Sequence, residues 1–423
     1  MALRSLTGAI ALCLLAAASA FAQSPESELP STQVATPGYP AGYAIPEVPD
    51  KVLASLNIET KGFTLIWGLA VLEDYTAFQQ NARSLDQVGK QDGGWNVRSF
   101  RPMLRGQIRL LGTWNYMISG EYNGFDRDIG DPLWNMTDVW ISTKVGSLFT
   151  LKLGKQKEPF VYEMVGDAAN LPHDERFLSP FFTSRNIGAS LTNTYLDEHA
   201  TWTVGWFNDW WTSGQAFANS GNDFVGRFTF LPVFEDDGKR YLHLAVSGRY
   251  HEGDDDVQRF RGKPQSDVAT PFVDTGDFVA GHSTAVGFEG LWADGPFTLL
   301  AEYVKDWVPS AAYANPSFYG YYATASWVFT GVPRPYDKKA GYARRVPVVG
   351  NRWGAVEVFA RYGRVNLNGG AIEGGAMNEW YGGLNWFATR RWKLGLGYGN
   401  VDLERYGMRG RTNIYLARLQ WIH

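Results

Sequence analysis

The sequence predicts an all-β fold, an antiparallel β-barrel that crosses a membrane with its strands. Three observations carry that prediction. The chain opens with an export leader. It is heavy in tryptophan, tyrosine and glycine without a long apolar run. Its body is built from segments of roughly ten residues in which apolar and polar side chains alternate.

In the leader, Arg4 supplies a positive start and Ile10 to Ala18 an apolar core. Ala20-Phe21-Ala22 gives the small-x-small pattern that precedes cleavage. Residues 1–22 are therefore expected to be a secretory signal peptide, its apolar core too short for a membrane helix. Cys13 is the single cysteine. Leu12 before it is too large for a lipid-attachment site, and the chain beyond the leader has no thiol to form a disulfide.

Aromatic side chains make up 15% of the chain, with 17 Trp and 21 Tyr, and Gly reaches 47. Mean hydropathy is slightly negative, and no later stretch holds about 18 consecutive apolar residues, so membrane helices are excluded. A barrel strand needs only to alternate, which this composition allows. The formal net charge of −4 gives no general affinity for nucleic acid. An anion preference has to come from the local placement of arginines and lysines.

Residues 23–60 carry Pro25, Pro30, Pro37, Pro40, Pro46 and Pro49 and read as an extended periplasmic arm, with a weak helical signal at Lys51–Leu56. The barrel is expected over residues 61–423. Trp114, Tyr116, Ile118 and Tyr122 share one strand face, against Thr113, Asn115, Ser119 and Glu121 on the other. Tyr319, Tyr321, Ala323, Ala325, Trp327 and Phe329 oppose Thr324, Ser326 and Thr330. Val356, Val358, Ala360 and Tyr362 oppose Glu357, Arg361 and Gly363, and Trp392, Leu394, Leu396 and Tyr398 oppose Arg391 and Lys393. A soluble β-sandwich alternates too, but seldom loads its apolar face with so many Trp and Tyr.

Short turns at Glu235–Lys239 and Ala293–Pro296 suit the periplasmic side, and the long polar stretches Glu252–Asp277 and Pro333–Asn351 suit extracellular loops. The Asp254-Asp255-Asp256 run lacks the ligand spacing of a calcium loop and reads as a solvated tip. No metal or cofactor is expected. At the end of the chain, Tyr415, Ala417, Leu419, Trp421 and His423 fall on one face. That pattern is similar to the terminal strand signal of outer-membrane barrels, with His423 where such signals carry Phe.

Three stretches resemble the phosphate-selective porin O and P family: Leu153-Gly154-Lys155-Gln156-Lys157-Glu158-Pro159-Phe160, Phe329-Thr330-Gly331-Val332-Pro333-Arg334-Pro335-Tyr336-Asp337, and Gly354 to Tyr362 followed by Asn366-Leu367-Asn368-Gly369-Gly370. Glu175-Arg176 and Arg185-Asn186-Ile187-Gly188 look like that family's inward-folding third loop. The resemblance implies about 16 strands, a homotrimer in the outer membrane and a third loop that narrows the lumen near Lys157–Asn186. It also implies an arginine- and lysine-lined path for small anions such as phosphate or polyphosphate.

Arginine suits an oxyanion because its planar fork donates two parallel hydrogen bonds, while lysine acts as a rotatable point charge. Strand phase turns Arg227, Arg249, Arg361, Lys393 and Arg418 toward the lumen, which makes them candidates for the anion path. Lys157, Arg176 and Arg185 belong to the expected constriction. Arg98, Arg101, Arg105 and Arg109 are spaced by three and four, so a bulge or a rim must intervene. Against these roles stands bracing of the wall, and Glu357 lies at the spacing to pair with Arg361. Trp206, Trp210 and Trp211 read as an aromatic girdle and adjoining loop rather than a sugar slide.

An enzyme is not expected, since none of the six histidines sits in a nucleophile or zinc motif. A plugged adhesive barrel and a weakly selective diffusion porin are the competing readings.

Overall fold

The computed structural model describes residues 48–124, 133–208, 221–349 and 352–423. The expected signal peptide, the arm as far as residue 47, and Trp210 and Trp211 lie outside the described residues. One sheet joins seventeen strands, of which Ile58–Glu59 is a two-residue addition. The others are β1 (Phe63–Gln80), β2 (Gly94–Arg109), β3 (Thr113–Tyr122), β4 (Trp134–Val145), β5 (Phe149–Lys157), β6 (Arg185–Tyr195), β7 (Ala200–Asn208) and β8 (Asn222–Glu235). They continue as β9 (Arg240–Glu252), β10 (His282–Asp294), β11 (Phe297–Trp307), β12 (Ser317–Val328), β13 (Ala355–Gly369), β14 (Ile372–Phe387), β15 (Trp392–Arg405) and β16 (Met408–Ile422). Each pairs antiparallel with the next, and β1 also pairs with β16, which closes the sheet into a sixteen-strand barrel without edges.

The faces follow the two-residue period. Phe228, Phe230, Leu244, Val246, Phe288, Leu299 and Trp327 point outward and stay exposed, forming an apolar belt with aromatic borders. Trp206 belongs to it, stacked on Phe224. No described helix is long and apolar enough to cross a membrane, so the crossing falls to the strands. At the terminus, His423 packs against Trp67 with the rings tilted by 49° and their centres 4.6 Å apart. A helix α1 (Asp50–Ala54) sits beside them, its Leu53 carbonyl accepting from Trp67 Nε1 at 2.8 Å.

The arginine run in β2 is resolved by a bulge. Leu72 pairs with Ser99 and Glu73 with Val97, so Arg98 is the extra residue. It therefore turns inward beside Arg101, Arg105 and Gln107, which keep the inward phase.

Strand direction corrects one loop assignment. Connection 329–354 follows β12, which runs toward the end that holds the chain's first and last strand termini. Pro333–Asn351 is thus on the same side as the short turns, not an extracellular loop. Its length reflects where it goes, which is inward. Arg334 reaches Glu357, the Gly341 carbonyl reaches Arg227, and Tyr336 reaches His243.

Segments 158–184 and 253–281 enter from the opposite end. Segment 158–184 contacts β9, β11, β13 and β16 through Glu158, Tyr162, Glu163 and Glu175. A segment that touches strands all around the sheet lies inside it. There Phe160, Phe177, Phe181, Phe260, Phe272 and Phe278 form an apolar core with Phe318 and Tyr322. Strand glycines make room for it. A Cβ on Gly363 would lie 2.5 Å from the Phe177 ring, and one on Gly320 would lie 2.7 Å from Phe181.

Candidate functional site

The inward cations fall into two groups. Arg227, Arg249, Arg361, Lys393 and Arg418 all project into the barrel, and each is less than a tenth exposed. Arg227 forks onto Glu289 at 2.8 and 2.6 Å. Arg249 joins Glu158 at 3.0 Å to Asp223 at 2.8 Å and also donates to Thr183. Arg418 forks onto Asp74 at 2.7 Å to each oxygen and reaches Glu175 at 3.0 Å. Arg361 donates to Glu163 at 3.0 Å and lies 4.9 Å from the ring centres of both Phe177 and Tyr322. Lys393 is packed near Phe387.

Glu357 does not pair with Arg361, although both face inward. It accepts Arg334 Nη2 at 2.7 Å on each oxygen and Nε at 3.0 Å, while Arg361 turns to Glu163. Both of these partners arrive on inward segments, Arg334 on 329–354 and Glu163 on 158–184.

The three loop candidates are also bound. Lys157 donates to the Val165 and Gly166 carbonyls and to Asp167, at 3.1, 3.0 and 2.9 Å. Arg176 donates to the Glu163 carbonyl at 2.6 Å and to that of Gly166. Arg185 donates to Asp138 at 3.0 Å. A buried charge is costly unless it is paired and hydrogen-bonded; Lys157 meets that demand while tying segment 158–184 to β5, Arg176 while bracing the segment internally, and Arg185 while joining β6 to β4.

Glu163 is the hub of the anchorage. Its carboxylate accepts the Phe177 and Leu178 N–H groups at 3.1 and 2.9 Å as well as Arg361, and His173 Nε2 lies 3.1 Å away. Burial opposes its charge, but the His173 and Arg361 contacts hold its carboxyl below the usual range. Glu302 in turn accepts the N–H groups of Tyr162 and Glu163 at 2.7 and 3.0 Å. At Glu158, burial and the neighbouring Asp223 push the carboxyl well up.

One patch on the inward face of β1 to β5 differs. At the level of Arg105 the register runs Ile66, Arg105, Met117, Trp140, each the cross-strand partner of the last. None of these four is buried, and Arg105 is exposed. Arg105 makes no hydrogen bond or ion pair among the described residues. Lys152 of β5 holds its ammonium 4.7 Å from the Trp140 ring centre. Around them Arg101 and Arg185 share Asp138, while Lys157 pairs with Asp167 and Arg344 forks onto Asp337.

Arg105 and Lys152 are the residues that the strand patterns undervalued. The usable signal was the period of Arg101, Arg105 and Gln107, hidden by the bulged Arg98.

A closed, belted barrel with charged inward segments is the architecture of an outer-membrane porin. The profile of the phosphate-selective porin O and P family matches residues 73–422, and the chain belongs to that family. Porin O of Pseudomonas aeruginosa is 26% identical over 219 residues, covering 44% of this chain and 50% of that protein. An uncharacterised protein of Caulobacter vibrioides is 25% identical over 216 residues, covering 48% and 43%. The chain thus spans about half the length of the curated relatives it matches. Among solved structures, the outer-membrane channel DcaP of Acinetobacter baumannii aligns with a TM-score of 0.54 at 10% identity, over 86% of this chain and 99% of that one. The anion-selective porin from Comamonas acidovorans aligns with a TM-score of 0.52 at 12% identity, over 85% and 100%. OmpT of Vibrio cholerae in its trimer form gives 0.51 at 10% identity, over 86% and 100%. These likenesses concern the fold.

Proposed function

We propose that the chain forms a water-filled channel through which small anions, phosphate among them, diffuse passively, and that three copies assemble side by side. It acts as a pore and not as an enzyme. The observation that carries the reading is the accessible patch on the wall of β1 to β5, where Arg105 is exposed and makes no hydrogen bond or ion pair among the described residues, and Arg101 beside it shares Asp138 with Arg185. An anion leaving bulk water needs donors that replace part of its hydration yet release it, and unpaired or half-neutralised guanidiniums on an accessible wall meet both conditions.

In this proposal Arg227, Arg249, Arg361, Lys393 and Arg418, with Lys157, Arg176 and Arg185, act on the anion at one remove. Arg249, Arg361, Arg418, Lys157 and Arg176 hold segment 158–184 as the constriction, Arg227 ties segment 329–354 to Glu289, Arg185 and Lys393 brace the wall, and the accessible patch is left to touch the ion. The family relation to Porin O supports phosphate as one cargo.

The test is the zero-current potential in planar bilayers under a potassium chloride gradient, followed by phosphate titration of the chloride current. An anion-selective sign with phosphate block is expected. A cation-selective sign refutes the anion reading.

A further inference from the structure

The accessible wall carries more than charge. Row by row, Ile66 pairs with Arg105, Arg105 with Met117 and Met117 with Trp140. Met103, the next inward residue along β2, extends the apolar ground beside Arg105, and Lys152 faces the Trp140 ring. These apolar side chains are part of the accessible wall, while the apolar groups of the opposite half are sealed under Phe177, Phe181 and Phe260.

A wall built only for inorganic oxyanions gains nothing from apolar neighbours. Such an ion is hydrated on every side, and each polar group it meets replaces a water. Wetted Ile, Met and Trp instead expose apolar area that a passing solute can cover, and area removed from water is favourable. Methionine adapts to varied shapes and meets aromatic rings favourably, and tryptophan presents a ring face for stacking. Two cations spaced among these groups fix the charged end of such a solute.

We propose that the preferred permeants are amphipathic organic anions, in which a phosphate or carboxylate is attached to an aromatic or aliphatic body. This rests on the anion-channel reading and narrows its cargo. The charged group meets Arg105, and the body lies across Met117 and Trp140. Lys152, already seated on the tryptophan, holds the ring in place and adds a second positive charge. No covalent step is involved, and the solute keeps its protonation state throughout.

The proposal is tested by comparing two blockers of the chloride current in the full-length channel, inorganic phosphate and phenyl phosphate. The readout is the ratio of their half-blocking concentrations, in which general changes in conductance cancel. Phenyl phosphate should block at a concentration about fivefold lower or less, the value expected for one aromatic contact. The variants Trp140→Ser and Met117→Ser should each bring the ratio toward one. Equal block by both ions in the unmodified channel overturns the proposal, and so does a ratio that survives both substitutions. Either outcome leaves an anion-selective zero-current potential standing, whereas a cation-selective potential removes the channel reading beneath it.

Discussion

Replacing Glu163 by Leu should free segment 158–184 while leaving the barrel closed. The carboxylate satisfies the Phe177 and Leu178 N–H groups and Arg361, all buried. Breaking one side of a buried ion pair costs about 3–5 kcal/mol because the remaining charge is uncompensated. Two stranded N–H groups add about 1–3 kcal/mol each. The loss is thus about 5 kcal/mol or more, falling on one connection between β5 and β6, whose own ladders are untouched. Segment opening then costs less than retaining the packed state. Arg176, otherwise buried against the Glu163 carbonyl, becomes a trypsin site. Limited proteolysis of the variant in liposomes should cut within 158–184, and its single-channel current should become larger or noisier. The exposed pair Arg240–Glu235 supplies the contrast, since Glu235→Leu should change neither. Trypsin resistance equal to the unmodified protein, with unchanged current noise, refutes the role of Glu163 as the hub.

Acid should act at the same place. Burial, then the Arg361 charge, holds the His173 imidazole down to about 4 from 6.5. Its contribution to anchorage is therefore full above pH of about 6.5 and is lost as pH falls toward 4. Glu175 acts in the same direction at lower pH: burial resists its charge, yet Arg98 and Arg418 hold it down to about 2, so its contribution is lost between about 4.5 and 2. Single-channel current noise should rise as pH falls from 7 to 4, and His173→Gln should remove the portion above pH 4; an unchanged profile speaks against this. Arg105→Glu should move the zero-current potential toward the cation-selective side, because it reverses an exposed charge that makes no ion pair among the described residues; no shift counts against that wall as the path. Gly363→Leu should lower thermal stability by about 1–3 kcal/mol, the usual range for overpacking, since its Cβ meets the Phe177 ring at 2.5 Å. A denaturation midpoint equal to that of the unmodified protein would show that the ring yields freely.

The barrel was legible because its determinants are local. The two-residue period puts Phe228 and Phe230 outside and Arg227 inside whatever the rest of the chain does. Partnership is not local. Arg361 has Glu357 four residues away and takes Glu163, 198 positions away, because an inward segment delivers it. Length and polarity of Pro333–Asn351 also read alike for either end of a barrel, and only strand direction places it. The inward fate of the five strand cations could be read from phase, but their burial could not. It depends on how much of the lumen the inward segments fill, and the same ignorance hid Arg105 on the uncovered side.

Ions are expected to pass along the accessible patch of the β1 to β5 wall and not through the packed half. The chain after the expected leader contains no cysteine, so single thiols can be placed at will. A negatively charged thiol reagent, applied during single-channel recording to Met117→Cys and to Tyr322→Cys, measures which wall the aqueous path touches. Current through Met117→Cys should be blocked stepwise, while Tyr322→Cys should stay unmodified beneath Arg361 and Glu302. Block at Tyr322→Cys with none at Met117→Cys would contradict the account.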